Sequence, residues 1–133
     1  MDQLLQERLV AMAAEARLNA RAFSGFRVGA ALLTTNGEIF TGCNVEIRST
    51  LSSICAERCA IVKAVSEGYQ DFAAIAVVSD AKHPVSPCGF CRQYLFDFNP
   101  DLEVIMANAD GSETSSMTMR ELMPFAFVGS GQD

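Results

Sequence analysis

The chain has 133 residues, of which half are hydrophobic and 20% are charged, so we expect one globular domain over residues 1–133 rather than a disordered or low-complexity chain. Sixteen Asp and Glu against ten Lys and Arg give a formal net charge of -6, which argues against a nucleic-acid partner because phosphate contacts need clustered cations. The sequence has no apolar run near the roughly 20 residues that span a bilayer and no secretory pattern at Met1-Asp2-Gln3, so we expect a cytoplasmic protein without a membrane partner.

The first third of the chain predicts a helix followed by two strands. Apolar residues recur with helical spacing over residues 2–20, at Leu5, Leu9, Met12 and Ala16. Strand-like runs follow at 28–35 and 38–41. Between them lies Asn36-Gly37, a pair that readily adopts the positive φ angles of a tight turn, so we expect an antiparallel hairpin.

The rest of the chain alternates between helices and strands. The predicted elements are a helix over 54–67 that ends at Gly68, a buried strand over 72–79, a helix over 88–98, a strand over 102–107, and a brief helix that begins with the capping-box pair Thr118 and Glu121 and stops at Pro124. Strands that alternate with helices indicate a sheet covered on both faces, so we expect one α/β/α domain.

Two predicted helix starts share a serine and a cysteine. Ser53-Ile54-Cys55 and Ser86-Pro87-Cys88 each place a serine at a suitable N-cap, so both cysteines are expected in a first helical turn. The unpaired N–H groups and the helix dipole lower a thiol's pKa there, which favours the thiolate form that binds metal. Cys91 shares a helix face with Cys88, and the three cysteines form one cluster if the two helix ends converge. Three thiolates select zinc among the common metals.

Glu57 and Arg58 adjoin this predicted cluster. Three protein ligands leave one zinc position open for a water, and Glu57, two residues after Cys55, can stand beside that water as a general base without binding the metal. Three thiolates exceed the charge of the ion, so a compensating cation is expected, and Arg58 is the candidate. The alternative is a closed structural site in which Cys59 supplies a fourth thiolate and Glu57 has no role.

These motifs resemble a known enzyme family. Cys55-Ala56-Glu57-Arg58 followed by Pro87-Cys88-Gly89-Phe90-Cys91-Arg92-Gln93 is similar to the signature of zinc-dependent cytidine deaminases, and the similarity extends through residues 26–31, 42–46 and 120–124. The resemblance, closest to the small homotetrameric type, implies a three-layer α/β/α sandwich with a mixed sheet of about five strands and one zinc per chain. It also implies hydrolytic deamination of cytidine and deoxycytidine to uridine and deoxyuridine, with release of ammonia, in pyrimidine salvage.

The resemblance also implies roles for individual residues. Glu57 would move a proton from the attacking water to N3 of cytosine and then to the leaving amine. Asn44 and Glu46 would hydrogen-bond the ribose hydroxyls, Phe26 would pack against the base, and Ala56 would contact the substrate. In the family a C-terminal phenylalanine of a neighbouring subunit closes each site. Phe127 fits that position better than its neighbour Phe125, which implies a homotetramer with shared active sites.

Two segments depart from the family pattern. Ile47-Arg48-Ser49-Thr50-Leu51 stands where the family typically has Asn-Ala-Ser-Tyr-Gly, and Ala20-Arg21-Ala22-Phe23-Ser24 replaces Tyr-x-Pro-Tyr-Ser. These changes do not affect the predicted zinc ligands, but they bear on which nucleoside the site accepts. Arg48 is placed to face an acidic or enlarged substrate. The second hypothesis is therefore a deaminase of a modified cytosine nucleoside such as blasticidin S. The third is non-enzymatic, a four-cysteine zinc domain that mediates protein contacts.

Overall fold

A five-stranded mixed sheet forms the centre of the molecule. The structure, a computed structural model, describes residues 1–129. The strands are β1 (Val28–Thr34), β2 (Ile39–Cys43), β3 (Phe72–Ser79), β4 (Glu103–Asn108) and β5 (Thr114–Thr118). They lie in the order β2-β1-β3-β4-β5, with β3 and β4 parallel and every other neighbouring pair antiparallel. The predicted mixed sheet of about five strands is confirmed.

Helices cover both faces of this sheet. They are α1 (Gln3–Arg17), α2 (Ala56–Ser66), α3 (Gly89–Phe98) and the short α4 (Met119–Leu122), with one 3-10 turn at Thr50–Ser52. α1 packs on one face, whereas α2, α3 and α4 pack on the other. The predicted three-layer α/β/α architecture is therefore confirmed. In the part of the chain that the structure describes, no helix has the length and apolar character that a membrane crossing needs.

Side-chain size differs between the two faces of the sheet. Toward α1 the central strands present mainly small side chains, among them Ala31, Ala74 and Ala76, so that helix lies close to the sheet. Toward α2 and α3 the strands present larger apolar groups, such as Ile75 and Met106. β3 is buried along almost its whole length, as expected for a strand that is covered on both faces. This packing fixes α2 and α3, whose N-termini carry the predicted zinc ligands.

The structure corrects three local predictions. β5 was not predicted, because Thr114–Thr118 is polar and largely exposed at the sheet edge. The hairpin has a four-residue connection in which Gly37 adopts positive φ and Asn36 does not. Ser53 and Ser86 are not N-caps. Cys55 and Cys88 themselves are the N-caps of α2 and α3, without a capping hydrogen bond from either side chain.

Candidate active site

The N-termini of α2 and α3 converge and bring three cysteines together. The sulfur atoms of Cys55, Cys88 and Cys91 all lie within 4.8 Å of one another, and the Cys55 and Cys88 sulfurs are 3.7 Å apart. A tetrahedral zinc ion with Zn–S bonds of about 2.3 Å separates its sulfur ligands by about 3.8 Å. Both the donor type and the spacing of this cluster therefore fit zinc.

The thiol pKa values show that the cluster favours negative charge at Cys55. The pKa of Cys55 is lowered to about 5, first by a hydrogen bond with Cys91, against the opposing effect of burial, and then by Arg58. The same hydrogen bond and burial raise the pKa of Cys91, which is fully buried. Because zinc binds thiolates, zinc binding at this cluster is expected to release protons from its thiols.

Glu57 lies beside the cluster in a dry environment. It is in the first turn of α2, and the residue is only 4% exposed. Burial raises its pKa to about 7, against the lowering effect of its own backbone N–H. A carboxyl group of this kind changes protonation state readily near neutral pH, which suits a residue that accepts a proton in one step and donates it in the next.

Arg58 contacts the cluster through its guanidinium group. Its Nη2 lies 3.5 Å from the Cys55 sulfur and 3.4 Å from the Ser53 carbonyl oxygen. The guanidinium carbon is also 5.8 Å from the ring centroid of Phe90, within the range of a cation–π contact. A cation in this position would offset the excess negative charge that three thiolates bring to a bound zinc ion.

Cys59 points away from the cluster. It lies four residues after Cys55 on α2 and packs against Gly42 of β2, where an added Cβ would be 2.9 Å from the Cys59 Cβ. Among the described residues, the group of metal-ligating side chains at this place contains Cys55, Cys88 and Cys91 and not Cys59. The geometry therefore gives no support to the closed four-cysteine site.

A cavity of about 420 Å³ opens over the cysteines and Glu57. This volume lies within the usual range for small-molecule sites. Four of the five predicted substrate residues line it, namely Phe26, Asn44, Glu46 and Ala56. The 47–53 segment contributes Thr50, Leu51 and Ser53 to the wall, whereas the exposed Arg48 is not among the lining residues.

Hydrogen bonds hold Asn44 and Glu46 at one end of the cavity. Asn44 accepts a bond from the Val28 N–H at 2.8 Å and donates to the Phe26 carbonyl at 2.9 Å and to Glu46 Oε2 at 3.2 Å. Glu46 also accepts from the backbone N–H and the hydroxyl of Ser24, each at 2.8 Å. The Ser24 backbone, and then its hydroxyl, lower the pKa of Glu46.

Phe127 lies outside its own chain's cavity. Its carbonyl oxygen accepts a bond of 3.0 Å from Gln93 Nε2, and its side chain is 70% exposed beside Tyr94 and Phe98 of α3. Phe125 is fully exposed and adopts a positive φ of 54°. Neither phenylalanine contributes to the site of the chain that carries it.

Sequence reasoning singled out neither Ser24 nor two residues of the cavity wall. Leu51 is 100% exposed and Phe90 is 76% exposed, and both line the cavity mouth. Phe90 could have been suspected from its place between Cys88 and Cys91. Ser24 bonds a residue 22 positions away, so no short spacing reveals it.

Comparisons with known proteins agree with this geometry. Residues 4–107 match the family model of the cytidine and deoxycytidylate deaminase zinc-binding region. The chain belongs to this deaminase family. Zinc is accordingly its cofactor, and the cluster of Cys55, Cys88 and Cys91 is the group of side chains in this deaminase that could hold it.

Individual relatives cover most of this deaminase. It is 45% identical over 123 residues to a cytidine deaminase of Sporosarcina psychrophila, which covers 91% of this chain and 90% of the relative. Its structure matches a solved cytidine deaminase from Burkholderia pseudomallei with a TM-score of 0.88 and 41% identity, over 96% of this chain and all of the other. A more distant relative is a blasticidin-S deaminase of Bacillus cereus, 35% identical over 76% of each chain.

Proposed function

We propose that this deaminase hydrolyses cytidine and deoxycytidine to uridine and deoxyuridine with release of ammonia. The observation that carries the proposal is the position of Glu57, a buried carboxyl group with a raised pKa that lies beside a three-cysteine cluster at the wall of a nucleoside-sized cavity. A purely structural metal site has no use for such a carboxyl group.

The chemistry is divided between the cofactor and the protein. Bound zinc supplies a water of lowered pKa, which is the nucleophile that hydrolysis at C4 of cytosine requires. Glu57 accepts a proton from the water as its oxygen bonds to C4, and passes that proton to N3. It then takes the second proton from the hydroxyl now on C4 and delivers it to the amine as the C4–N bond breaks. One water is consumed and one ammonia is released for each base. Arg58 keeps the charge of the three thiolates balanced throughout this cycle.

The cavity favours a nucleoside over a nucleotide. The charged side chains among its described lining residues are Glu46, Glu57 and Arg58. Arg58 already contacts Cys55 and Phe90. Among the described lining residues, no other cation is available to bind a substrate phosphate, and the carboxylates would repel it. Asn44 and Glu46 suit the hydroxyl groups of a sugar, and Phe26, which is 41% exposed at the cavity, suits the apolar face of the base.

The active enzyme is proposed to be a cytoplasmic homotetramer that serves pyrimidine salvage. The exposed Phe127 ring does not line its own chain's cavity. We propose that it packs against a neighbouring copy of the chain, because exposed aromatic side chains commonly anchor protein interfaces. The open mouth of the cavity, with Leu51 and Phe90 exposed, is the surface that such a ring would cover. In this arrangement each active site is completed by a second chain.

Blasticidin S is the second candidate substrate. The 47–53 segment, which departs from the family pattern, forms part of the cavity wall, and one more distant relative carries that activity in its name. Retention of Glu46 beside Asn44 favours cytidine, because these residues suit the ribose hydroxyls.

One absorbance experiment separates the candidates. Purified protein with one zinc per chain is incubated in parallel with cytidine, deoxycytidine and blasticidin S, and the ultraviolet absorbance change of each is followed. Turnover of cytidine and deoxycytidine is the expected result. Turnover of blasticidin S alone would transfer the activity to the second candidate, and no turnover at all would refute both.

A further inference from the structure

The Arg92 side chain connects the loop that enters α3 with the end of α4. Its Nε donates to the Pro87 carbonyl oxygen at 2.8 Å, and its Nη2 donates to the Ser86 hydroxyl. On the other side, its Nη1 donates to the Leu122 carbonyl oxygen, also at 2.8 Å. One guanidinium group therefore joins two segments that are distant in the chain, as its several donors in a planar fork allow.

Arg92 supplies the donor for two carbonyl groups that lack a backbone partner. Among the described residues, no backbone N–H donates to the oxygen of Pro87 or to that of Leu122. Leu122 is the last residue of α4, where carbonyl groups have no partner within the helix and a cation is favourable. Pro87 is a buried residue, so loss of the donor to its carbonyl is costly.

Arg92 also adjoins two of the predicted zinc ligands. Its backbone N–H donates to the Cys88 carbonyl oxygen at 2.9 Å, and Cys91 is the residue before it. Pro87, which its side chain holds, directly precedes Cys88. Arg92 thus holds the carbonyl groups of both Pro87 and Cys88, which restricts the backbone that carries the Cys88 sulfur.

Gln93 holds the far end of the segment that begins at Leu122. Its Nε2 donates to the Phe127 carbonyl oxygen at 3.0 Å, so two adjacent residues of α3 hold the two ends of the 122–127 segment. Within this segment Phe125 has a positive φ of 54°, which residues other than glycine rarely adopt. Because its own backbone does not favour this turn, the segment depends on the contacts at its ends.

We propose that Arg92 is a positioning residue that couples the Cys88 ligand to the 122–127 segment, so that bound zinc stabilises the segment and the segment strengthens zinc binding. Such coupling is reciprocal by thermodynamic necessity. Its consequence for catalysis rests on the proposed function, in which Phe127 of this segment closes a neighbouring chain's site. The zinc state of one chain then affects how well its neighbour binds cytidine.

The first test measures how fast zinc leaves the protein. Zinc-loaded proteins are mixed with an excess of a chromophoric chelator, and the absorbance of the zinc–chelator complex is followed. We expect release about 10-fold faster from Arg92→Ala than from the wild type, as for loss of a residue that supports metal ligands. Ser86→Ala, which removes one of the Arg92 bonds and is the milder variant, should release zinc faster than the wild type by a smaller factor.

A double variant and a matched control separate this coupling from general destabilisation. Ser86→Ala combined with Arg92→Ala should release zinc no faster than Arg92→Ala alone, because the bond between the two residues is already lost. Arg120→Ala removes an exposed arginine of α4 that bonds Asp101, and its release rate should match the wild type. A wild-type release rate in Ser86→Ala or in Arg92→Ala, or additive effects in the double variant, would overturn the inference.

The second test measures amide hydrogen exchange in the 122–127 segment, with zinc and after its removal by a chelator. In the wild type, removal of zinc should speed exchange there about 10-fold, while exchange in α1, on the opposite face of the sheet, stays unchanged. In Arg92→Ala, exchange in the segment should be fast in both states. The inference fails if exchange in the wild-type segment does not respond to zinc, if α1 responds equally, or if Arg92→Ala responds as the wild type does.

The third test addresses the neighbouring site. Wild-type chains are assembled with an excess of either Cys88→Ala chains, which lack zinc, or Glu57→Gln chains, which keep zinc but lack the proton carrier. Only wild-type sites are active in both mixtures, so a difference in KM reports on the neighbour. We expect KM for cytidine to be about 5-fold higher with Cys88→Ala neighbours, with a similar kcat per wild-type chain. Equal KM values would overturn the coupling between chains. Absence of cytidine turnover by the wild type would instead refute the proposed function, and the first two tests would still decide whether zinc and the segment are coupled.

Discussion

Gly42 determines how closely α2, with Glu57 in its first turn, approaches the sheet. A Cβ on residue 42 would lie 2.6 Å from both the Ala56 carbonyl oxygen and the Ala60 nitrogen. Ordinary contact begins at 3.4 Å, so Gly42→Ala requires α2 to move by about 0.8 Å, the difference between the two distances. We expect a cost of about 1–3 kcal/mol for this overpacking and a decrease in Tm of about 3–12 °C.

The same displacement should affect catalysis more than folding. A shift of about 1 Å in a catalytic group can cost on the order of 100-fold in rate, so kcat of the zinc-loaded Gly42→Ala protein should fall by roughly that factor. The control is Leu9→Ala, which removes a fully buried side chain from α1 on the opposite face. Its Tm should fall, at a cost of about 2–5 kcal/mol, with kcat preserved. A Gly42→Ala enzyme with the wild-type kcat would refute this positioning argument, and an unchanged Tm would refute the close contact itself.

Three further predictions concern the metal, pH and capping. Cys59→Ala should keep one zinc per chain whereas Cys88→Ala should lose it by metal analysis, and loss of zinc from both variants would favour the closed four-cysteine site. Burial raises the pKa of Asp80, but hydrogen bonds from Arg27 and Arg17 outweigh it and hold that pKa below 3.8. The stability that Asp80 contributes is therefore fully present above pH 3.8 and is lost as the pH falls through the pKa of the folded state. In Asp80→Asn, the free energy of unfolding should depend less on pH in this acid range. The same pH dependence in the variant and the wild type would contradict this prediction. Thr118→Ala should cost about 1 kcal/mol by loss of the capping box, with kcat unchanged, as measured by urea unfolding and the cytidine assay.

Most helices and strands could be predicted from the sequence because the spacing of their apolar residues matches the faces that are buried in the structure. The run at Phe72–Ser79 is apolar on both faces and forms a buried central strand. Gly68 has a positive φ of 97° at the end of α2, as a helix stop requires. β5 was not predicted because its exposed Thr and Ser side chains show no alternation of apolar and polar residues. It forms a strand because its backbone pairs with β4.

Part of the site could be predicted because its residues lie close together in the sequence. The three cysteines and Glu57 lie within two short segments, so helical geometry alone places them on two helix starts. What the sequence could not show is that these starts meet, because that depends on how α2 and α3 pack on the sheet. The bonds between Ser24 and Glu46 could not be predicted either, because they join two loops that lie 22 residues apart in the chain.

The most direct test of the account is the rate of cytidine deamination by Glu57→Gln protein that carries one zinc per chain, measured beside the wild type by ultraviolet absorbance. Glutamine preserves the shape of the side chain but cannot accept and return a proton. We expect an active wild type and a variant whose kcat is lower by at least 100-fold, as for removal of a general base. A zinc-loaded variant with a rate near the wild type would contradict the proton transfer assigned to Glu57.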